Sequence, residues 1–538
     1  MKKSKSLFIL MYLLFVTISA SAKTITVTSG ADNGIGSLRE AITNAAANDT
    51  IVFANDVTTV YFAGVIELNK NITINGNKTN NTIIQNGSTW TGAGKKRYFE
   101  IFSNATVNIN HFTLKDNTAN CGGGAIENKG NLTINNCIFS NNRPIDVGGA
   151  IHNSSGGILI IDSCTFRNNY APSGGGAIGN NGELHITNSL FDSNNGGLEA
   201  GAIMTGGFFS STISNCTFNN NTAKYGGAIT NTGSNLNINK CHFIENTATT
   251  TSGAIYNSWL SISMYQLILS YGAQYATPNP NGHGCNITLS NSVFSKNKSN
   301  GKGIFTNDYN AIATITNCLF DNNEINNPNS DTYYPDALHH GVVSNLNFEY
   351  YHTNTKLIIV NSTIADNIGT GLYTNGEVML YNNIIWGNKQ EEIKNDVFAN
   401  DGVVITQYAN NLIDTSNTNL SDNNNLININ PLFVGNGDYN LQEISPAIDN
   451  GNNDYLNAID TDLSANPRIS NNTVDMGAYE YQPIISQVKT ITPASAEKEI
   501  LKEEYFGIDG KRAKDISPLR IKRTIYTDGT VKVEKVLR

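Results

Sequence analysis

The chain has 538 residues, a formal net charge of −9 and 15% charged residues, fewer than the roughly 25% usual in a globular protein. The net negative charge excludes the basic surface expected of a nucleic-acid-binding protein. Glycine, with 48 residues, and asparagine are spread along the chain instead of being confined to linkers. This distribution favours a repeat protein over three or four globular domains.

Residues 1–22 predict a secretory signal peptide. The segment KKSK at 2–5 is basic, residues 7–18 are apolar, and ASA at 20–22 has the pattern of a cleavage site. This apolar run and every later one are shorter than the ~18 residues of a membrane helix. We therefore expect the mature chain to begin at Lys23 and to be exported, to the cell surface or outer membrane or into the medium.

Residues 23–64 are expected to cap the N-terminal end of the fold. Ser37 and Glu40 form an S-x-x-E capping box. Leu38, Ile42 and Ala45 give the helix that follows a single apolar stripe. Such a helix would cover an open strand edge, which otherwise recruits other chains.

From residue 114 onwards a large apolar residue is followed three positions later by asparagine, in ten consecutive copies. Most copies are 25 to 27 residues apart. The two longest spacings predict insertions at 256–284 and 325–352. The ten pairs are Leu114/Asn117, Phe139/Asn142, Phe166/Asn169, Phe191/Asn194, Phe218/Asn221, Phe243/Asn246, Phe294/Asn297, Phe320/Asn323, Ile364/Asn367 and Ile385/Asn388.

Each copy also contains short apolar alternations, such as LTI at 132–134 and LHI at 184–186, with the period of two that is typical of strands. Three short strands in about 25 residues make one coil of a parallel β-helix. We therefore predict an all-β fold, a single-stranded right-handed parallel β-helix (solenoid) over 65–390. An N-terminal helix cap and a small C-terminal β tail complete it.

The repeated residues have structural reasons to recur. The asparagines can form a hydrogen-bonded ladder and tolerate a left-handed turn, the phenylalanines can stack inward, and the glycine pairs mark sharp turns. Cysteine and serine exchange at one inward position. Because the seven cysteines are an odd number, we expect free buried thiols, with one disulfide between adjacent coils, for instance Cys137–Cys164, as the open alternative.

The GGAI tetrapeptides at 123, 148, 175 and 226, with AGAI at 200 and SGAI at 252, are in phase with the FxxN pairs. Together they resemble the polymorphic outer membrane protein repeat, a family of β-helical passengers on bacterial surfaces. The resemblance implies a pectin-lyase-like fold and a role as an adhesin. The family's C-terminal barrel is not expected here, since nothing after Tyr481 is long enough to supply its membrane strands.

Three flanking segments carry further resemblances. Residues 31–54 resemble the SLREA-type module that opens secreted β-helices. The segment 391–481 resembles the choice-of-anchor Q module that closes them, and the resemblance is carried by residues 430–451 and 460–481. A linker is predicted at 482–500. The basic segment 501–538 resembles the C-terminal sorting tails of type IX secretion cargo. This resemblance implies surface attachment, and we expect membrane association only through this end.

β-Helix proteins also include polysaccharide lyases and glycosidases, which work with clustered carboxylates or bound Ca²⁺. Glu127 and His152 follow GGAI at the same position in adjacent coils, about 5 Å apart by strand spacing. The next copies carry Gly179, Met204 and Thr230 there. The pattern therefore predicts no carboxylate cluster, and a catalytic pair is disfavoured.

The insertions are the favoured place for a ligand, because loops that leave a rigid scaffold tend to carry function. Aromatic side chains beside carboxylates suit sugar rings, although such aromatics more often pack onto the scaffold. Neighbouring residues on an extended chain, such as His339 and His340, point apart, so no metal site is expected. The candidate ligand-binding residues are Trp259, Tyr265, Tyr271, Tyr275, Tyr333, Tyr334, Asp336, Glu349 and Tyr350.

A second acidic group, Asp460, Asp462 and Asp475 with Arg468, lies in the closing segment. An arginine–carboxylate pair that holds this segment together is favoured over catalysis or Ca²⁺ binding. No cofactor is expected, and Ca²⁺ has no support in the sequence. Catalytic residues are not assigned.

Three functions stay open on the sequence. A non-catalytic, monomeric surface protein that binds glycans or surface components is favoured. A polysaccharide lyase or glycoside hydrolase using the insertions is the first alternative, and a structural surface component is the second.

Overall fold

The computed structural model describes residues 21–87, 97–259, 285–326, 341–346, 355–374, 376–389, 397–399, 407–414, 423–456, 459–483, 500–506, 519–527 and 530–537. The predicted signal peptide up to residue 20 and most of the predicted linker lie outside these residues. Within them, no helix is long and apolar enough to cross a membrane. Contacts divide the chain into two units, Met1–Gln482 and Pro483–Arg538.

The first unit is a right-handed parallel β-helix whose coils visit sheets A, B and C in turn. Sheet A contains β1 (Thr24–Val27), β2 (Thr50–Phe53), β5 (Ile72–Asn75), β8 (Thr106–Asn110), β11 (Asn131–Asn135), β14 (Ile158–Asp162), β17 (Glu183–Thr187), β20 (Ser210–Ser214), β24 (Asn235–Asn239), β28 (Cys285–Ser290), β32 (Ala311–Thr316), β36 (Lys356–Val360), β39 (Glu377–Tyr381) and β42 (Gln407–Ala409). Sheet B contains β3 (Thr59–Phe62), β6 (Thr82–Asn86), β9 (Phe112–Lys115), β12 (Ile138–Ser140), β15 (Thr165–Arg167), β18 (Leu190–Asp192), β21 (Thr217–Asn219), β25 (His242–Ile244), β29 (Val293–Ser295), β33 (Leu319–Asp321), β37 (Thr363–Ala365), β40 (Ile384–Trp386), β43 (Leu412–Ile413) and β44 (Leu426–Ile427).

Sheet C forms the third side, and a narrow sheet D lies on the connection from B to C. Sheet C contains β4 (Ile66–Leu68), β7 (Phe99–Ile101), β10 (Ile126–Asn128), β13 (Ile151–Asn153), β16 (Ile178–Asn180), β19 (Ile203–Gly206), β23 (Ile229–Thr232), β27 (Ile255–Ser258), β31 (Phe305–Asp308), β35 (Gly341–Leu346), β38 (Thr370–Thr374) and β41 (Val397–Ala399). Sheet D contains β22 (Thr222–Tyr225), β26 (Thr247–Thr251), β30 (Lys298–Ser299) and β34 (Glu324–Ile325).

The predicted fold class is confirmed, and the ten apolar positions pair in register along sheet B. Phe243 pairs directly with Phe294 although their positions differ by 51, so the register of sheet B continues across the first predicted insertion. The phenylalanine rings from Phe139 to Phe320 stack with centroids 4.3 to 4.9 Å apart and planes within 6° of parallel. All of them are buried, and they form a continuous apolar column.

The asparagine ladder is also present, and its geometry corrects one expectation. Asn142 Nδ2 donates to Leu114 O at 3.1 Å and to Asn169 Oδ1 at 3.0 Å, and its main-chain N–H donates to the same oxygen. The left-handed residue is the one before each ladder asparagine, such as Asn141 with φ of 57°. The recurrence of the ladder asparagine is therefore explained by the hydrogen bonds of its buried side-chain amide and not by its own backbone conformation.

A second asparagine ladder, which the sequence reading missed, runs along sheet C. Asn128 Nδ2 donates to Asn153 Oδ1, and Asn153 Nδ2 donates to Asn180 Oδ1, both at 2.7 Å. A signal was available, because asparagine stands two positions after GGAI in most copies. The coil is thus closed by amide ladders at two corners.

The seven cysteines are free thiols, so the alternative Cys137–Cys164 disulfide is absent. The main-chain N–H of Cys137 donates to Cys164 Sγ at 3.4 Å, and that of Cys164 donates to Ser189 Oγ at 3.1 Å. A sulfur and a hydroxyl oxygen accept the same bond, which explains why Cys and Ser exchange here. Gly124 shows the steric reason for the glycine pairs, since a Cβ there would lie 2.1 Å from Gly149 O.

The N-terminal helix α1 spans Leu38–Asn44. Ser37 Oγ accepts the Glu40 N–H at 3.2 Å, as the capping box predicts. Glu40 Oε2 accepts the N–H of Gly36 at 2.6 Å instead of that of Ser37, so the reciprocal bond reaches one residue further back. Leu38, Ile42 and Ala45 are buried in the same apolar cluster as the first coils.

The range 325–352 is not wholly an insertion. β35 (Gly341–Leu346) lies inside it and pairs with β31 and β38 as a regular rung of sheet C. The sequence GVVSNL lacks the GGAI signature, so the pattern search passed over it. Long segments instead join β34 to β35, and β35 to β36.

The C-terminal part of the first unit contains the hairpin of β45 (Phe433–Gly435) and β46 (Asp438–Leu441) and a 3₁₀ turn at Asn453–Tyr455. The second unit contains a three-stranded antiparallel sheet of β47 (Ile500–Phe506), β48 (Leu519–Tyr526) and β49 (Val531–Leu537). This sheet is the small C-terminal β tail that the sequence predicts.

Candidate functional site

Of the nine predicted ligand-binding residues, the structure describes Trp259. It follows β27, its N–H donates to Tyr309 O at 3.1 Å, and its ring lies 5.3 Å from that of Phe208 at an interplanar angle of 35°. Tyr265, Tyr271, Tyr275, Tyr333, Tyr334, Asp336, Glu349 and Tyr350 lie outside the described residues.

Glu127 and His152 do meet on the outer face of sheet C. Their strands pair in register, and His152 Nδ1 lies 3.1 Å from Glu127 Oε1. Arg97 and Ser154 also donate to the Glu127 carboxylate. On the far side of the imidazole, Nε2 lies 3.3 Å from Asn181 Nδ2. The ring therefore bridges a carboxylate and an amide.

The expectation that no carboxylate cluster builds up here is wrong in the N-terminal direction. Glu67, Glu100 and Glu127 pair in register in consecutive coils, and Lys129 Nζ donates to Glu100 Oε1 at 2.6 Å. The sequence reading followed the register only into later copies. FEI at 99–101, aligned with IEN at 126–128, was the available signal.

The environment of Glu127 decides what it can do chemically. Burial raises the pKa of Glu127, but the hydrogen bond and charge of His152, the Ser154 hydroxyl and the Arg97 charge outweigh it and lower the pKa to about 2. A general base works best with a pKa near the operating pH. Glu127 is therefore a structural anion held by its neighbours rather than a base at neutral pH.

The outer face of sheet A presents a different surface, which we call the polar wall. It is defined by two of the outward rows of β5 to β28, whose members are all exposed or half-buried. The first row is Thr73, Asn108, Thr133, Ile160, His185, Thr212, Asn237 and Thr288, and the second is Asn75, Asn110, Asn135, Asp162, Thr187, Ser214, Asn239 and Ser290.

Hydrogen bonds between neighbouring coils order the polar wall. Asn135 Nδ2 donates to Asn110 Oδ1, and Asn110 Nδ2 donates to Asn75 Oδ1, both at 2.8 Å. Thr187 Oγ1 donates to Asp162 Oδ1 at 2.6 Å. The side chains repeat at about 4.8 Å along the rod and about 7 Å along each strand. They form a flat, preordered array of hydroxyl and amide groups.

The acidic group of the closing segment is a buried hydrogen-bond network without the expected direct ion pair. Arg468 Nη2 donates to the main-chain oxygens of Asp475, at 3.1 Å, and Gly477. The Asp475 carboxylate accepts the main-chain N–H groups of Asp449 and Tyr481. Burial raises the pKa of Asp475 to about 6. These contacts fix a loop against the last coils, which is a structural role.

Among the described residues, no group of three or more His, Cys, Asp or Glu side chains could hold a metal ion. Asp460, Asp462 and Asp475, for which a calcium site was the disfavoured interpretation, form no such group.

The fold defines the class of this protein as a right-handed parallel β-helix protein. Residues 101–267 match the family model described as "Right handed beta helix region". Among solved structures, the A-module of a mannuronan C-5 epimerase from Azotobacter vinelandii is similar at 11% sequence identity and a TM-score of 0.30, over 71% of this chain and 96% of that chain. No curated protein matches the chain.

Proposed function

We propose that this chain is an exported surface protein that binds a polysaccharide along the polar wall without cleaving it. The observation that carries this proposal is the register of the wall, where Thr133, Thr212 and Thr288 belong to one outward row whose members repeat from coil to coil. A polysaccharide is itself a repeating array of hydroxyl groups. Solenoids offer extended surfaces for such partners.

Preordering favours binding on this surface. Because Asn75, Asn110 and Asn135 already hold one another, less side-chain entropy is lost when a ligand binds. His185 is held in the same way, with Nδ1 2.8 Å from Thr212 Oγ1 and Nε2 2.8 Å from Glu183 Oε1. The wall is rigid before it meets its partner.

For the Glu127–His152 pair of sheet C, the low pKa of Glu127 supports a non-catalytic role. A lyase needs a base poised near neutral pH and a glycosidase needs one carboxyl that stays protonated, and a carboxylate with a pKa of about 2 meets neither need.

The test is a glycan array combined with a polysaccharide-degradation screen on the chain from Lys23 onwards. We expect retention of at least one polysaccharide and no reducing ends or unsaturated products. Release of products from an acidic polysaccharide would overturn the non-catalytic proposal. Failure to retain any polysaccharide would overturn the binding proposal.

We further propose that the second unit directs surface attachment, as its resemblance to sorting tails implies. Its support is that Pro483–Arg538 is a compact unit of its own, so it can be removed without cutting a coil. Deleting 501–538 in the producing host should abolish surface display, measured by protease accessibility on intact cells. Unchanged display of the shortened chain would show that this assignment is wrong.

A further inference from the structure

We infer that Phe208 and Trp259 form a stacking platform for one pyranose ring of a neutral polysaccharide. The two rings lie at the corner where the chain passes from sheet C to sheet A, which we call the aromatic corner and define as Phe208, Gly233 and Trp259. This inference rests on the proposed function, because it names the class of sugar that the binding surface takes.

The three residues of the aromatic corner come from successive coils. Phe208 follows β19, Gly233 follows β23 and Trp259 follows β27. A Cβ on Gly233 would lie 3.2 Å from Phe208 Cε1 and 3.7 Å from Trp259 Cζ3. Glycine in the middle coil therefore lets rings from the two flanking coils come within 5.3 Å of each other.

The backbone of Phe208 points to a role outside folding. Its φ is 66°, a conformation that is unfavourable for a bulky side chain, and its side chain is 58% exposed. Burial of the Phe208 ring therefore offsets little of the free-energy cost of this backbone conformation. Strained residues with exposed side chains are found at binding sites, where the surroundings hold the side chain in position for a ligand.

Two polar side chains lie close to the segment that leads into Phe208. A Cβ on Gly206, two residues before Phe208, would lie 3.0 Å from Thr232 Oγ1 and 3.8 Å from Asn181 Oδ1. Both side chains are half-buried. A pyranose has an apolar C–H face, which suits an aromatic ring, and a rim of hydroxyl groups, which suits Thr232 and Asn181.

The position of the corner connects it to the polar wall. Phe208 lies two residues before Ser210, which begins β20, so a chain lying on the wall reaches the rings at its edge.

The charge of the protein indicates which class of sugar binds. The net charge of −9, and Asp162 on the wall, repel a polyanion, so a neutral hexose polymer is the expected ligand.

The test replaces Phe208 with asparagine in the mature chain. Asparagine tolerates the left-handed conformation, so Phe208→Asn removes the ring without adding backbone strain. Titration calorimetry with cellohexaose, laminarihexaose and mannohexaose, and with hexagalacturonate as the acidic comparison, measures affinity. Thermal unfolding of the same samples measures stability. Ile145→Asn is the control, because Ile145 is also an exposed apolar residue, at 68%, and lies away from this corner.

We expect at least one neutral hexasaccharide to bind more tightly than hexagalacturonate. Phe208→Asn should weaken that binding at least fivefold with an equal or higher unfolding midpoint, whereas Ile145→Asn should leave affinity unchanged. A lower midpoint with unchanged affinity would overturn the inference, because the ring would then pack against the chain itself. Preference for hexagalacturonate would also overturn it.

The two proposals fail separately. If the wild-type chain still retains polysaccharides while Phe208→Asn binds every hexasaccharide as well as wild type does, the proposed role of the aromatic corner is wrong. The proposal that the polar wall binds polysaccharide is then unaffected. If the screen shows product release while Phe208→Asn still weakens hexasaccharide binding, the non-catalytic proposal is wrong and the corner stands.

Discussion

Replacing Asn194 with alanine is expected to lower the free energy of unfolding by roughly 3 to 5 kcal/mol, because several buried groups lose their partner at once. Asn194 is fully buried. Its Nδ2 donates to Phe166 O at 2.9 Å and to Asn221 Oδ1 at 3.0 Å. Its Oδ1 accepts the main-chain and side-chain N–H groups of Asn169.

The measurement is the urea midpoint together with amide hydrogen exchange. Since a solenoid is stabilised by nearest-neighbour contacts, loss of protection should centre on β15, β18 and β21. Asn135→Ala is the matched control, because Asn135 donates to Asn110 across the outer face while half-exposed. It should cost less than about 1 kcal/mol. Equal losses in the two variants would show that the buried ladder has no special role.

Replacing Glu127 with alanine is expected to cost about 3 to 5 kcal/mol, the usual cost of leaving a buried charge without its partner. The side chains of Arg97 and Glu127 are 3% and 7% exposed. Without the carboxylate, the Arg97 guanidinium is a buried positive charge that lacks its ion-pair partner. The matched control is Glu183→Ala, because Glu183 pairs with His185 at 2.8 Å while 42% exposed. Exposed pairs contribute less than about 1 kcal/mol.

The same carboxylate gives a pH dependence. The pKa of Glu127 falls from 4.5 to about 2 on folding, so folding favours its ionised form. This contribution to stability is complete above about pH 4.5 and is lost as the pH falls towards 2. The urea midpoint of wild type should therefore fall more steeply than that of Glu127→Gln between pH 5 and 2. Parallel curves would show that Glu127 is not held ionised.

The coil architecture could be predicted from the sequence because one residue type occupies each inward position. Phe139, Phe166 and Phe191 can recur at one register only if they stack, and their 25- to 27-residue spacing leaves room for three strands. Serine at 189 in place of cysteine was also interpretable, since both side chains accept the same main-chain N–H. The periodicity of the sequence was therefore sufficient to predict the coil architecture.

The contacts between coils could not be predicted in the same way. Arg97 reaches Glu127 from a coil whose strand lacks the GGAI signature, and Phe208 meets Trp259 across two coils. Each of these contacts depends on how side chains of neighbouring coils are oriented at a corner of the β-helix. A repeat pattern along the sequence gives no information on that orientation. β35 was missed for a related reason, since pairing with β31 and β38 defines it and its own residues match no repeat.

The most direct measurement for the central proposal compares two double variants in the polysaccharide-binding assay. Thr133→Glu with Thr212→Glu places carboxylates on the polar wall, in β11 and β20. Thr165→Glu with Thr217→Glu makes the same change at half-exposed positions of sheet B, in β15 and β21. Wall binding predicts at least tenfold weaker retention for the first pair, unchanged retention for the second, and no released product in either case. Equal retention by the two pairs would contradict binding at the wall.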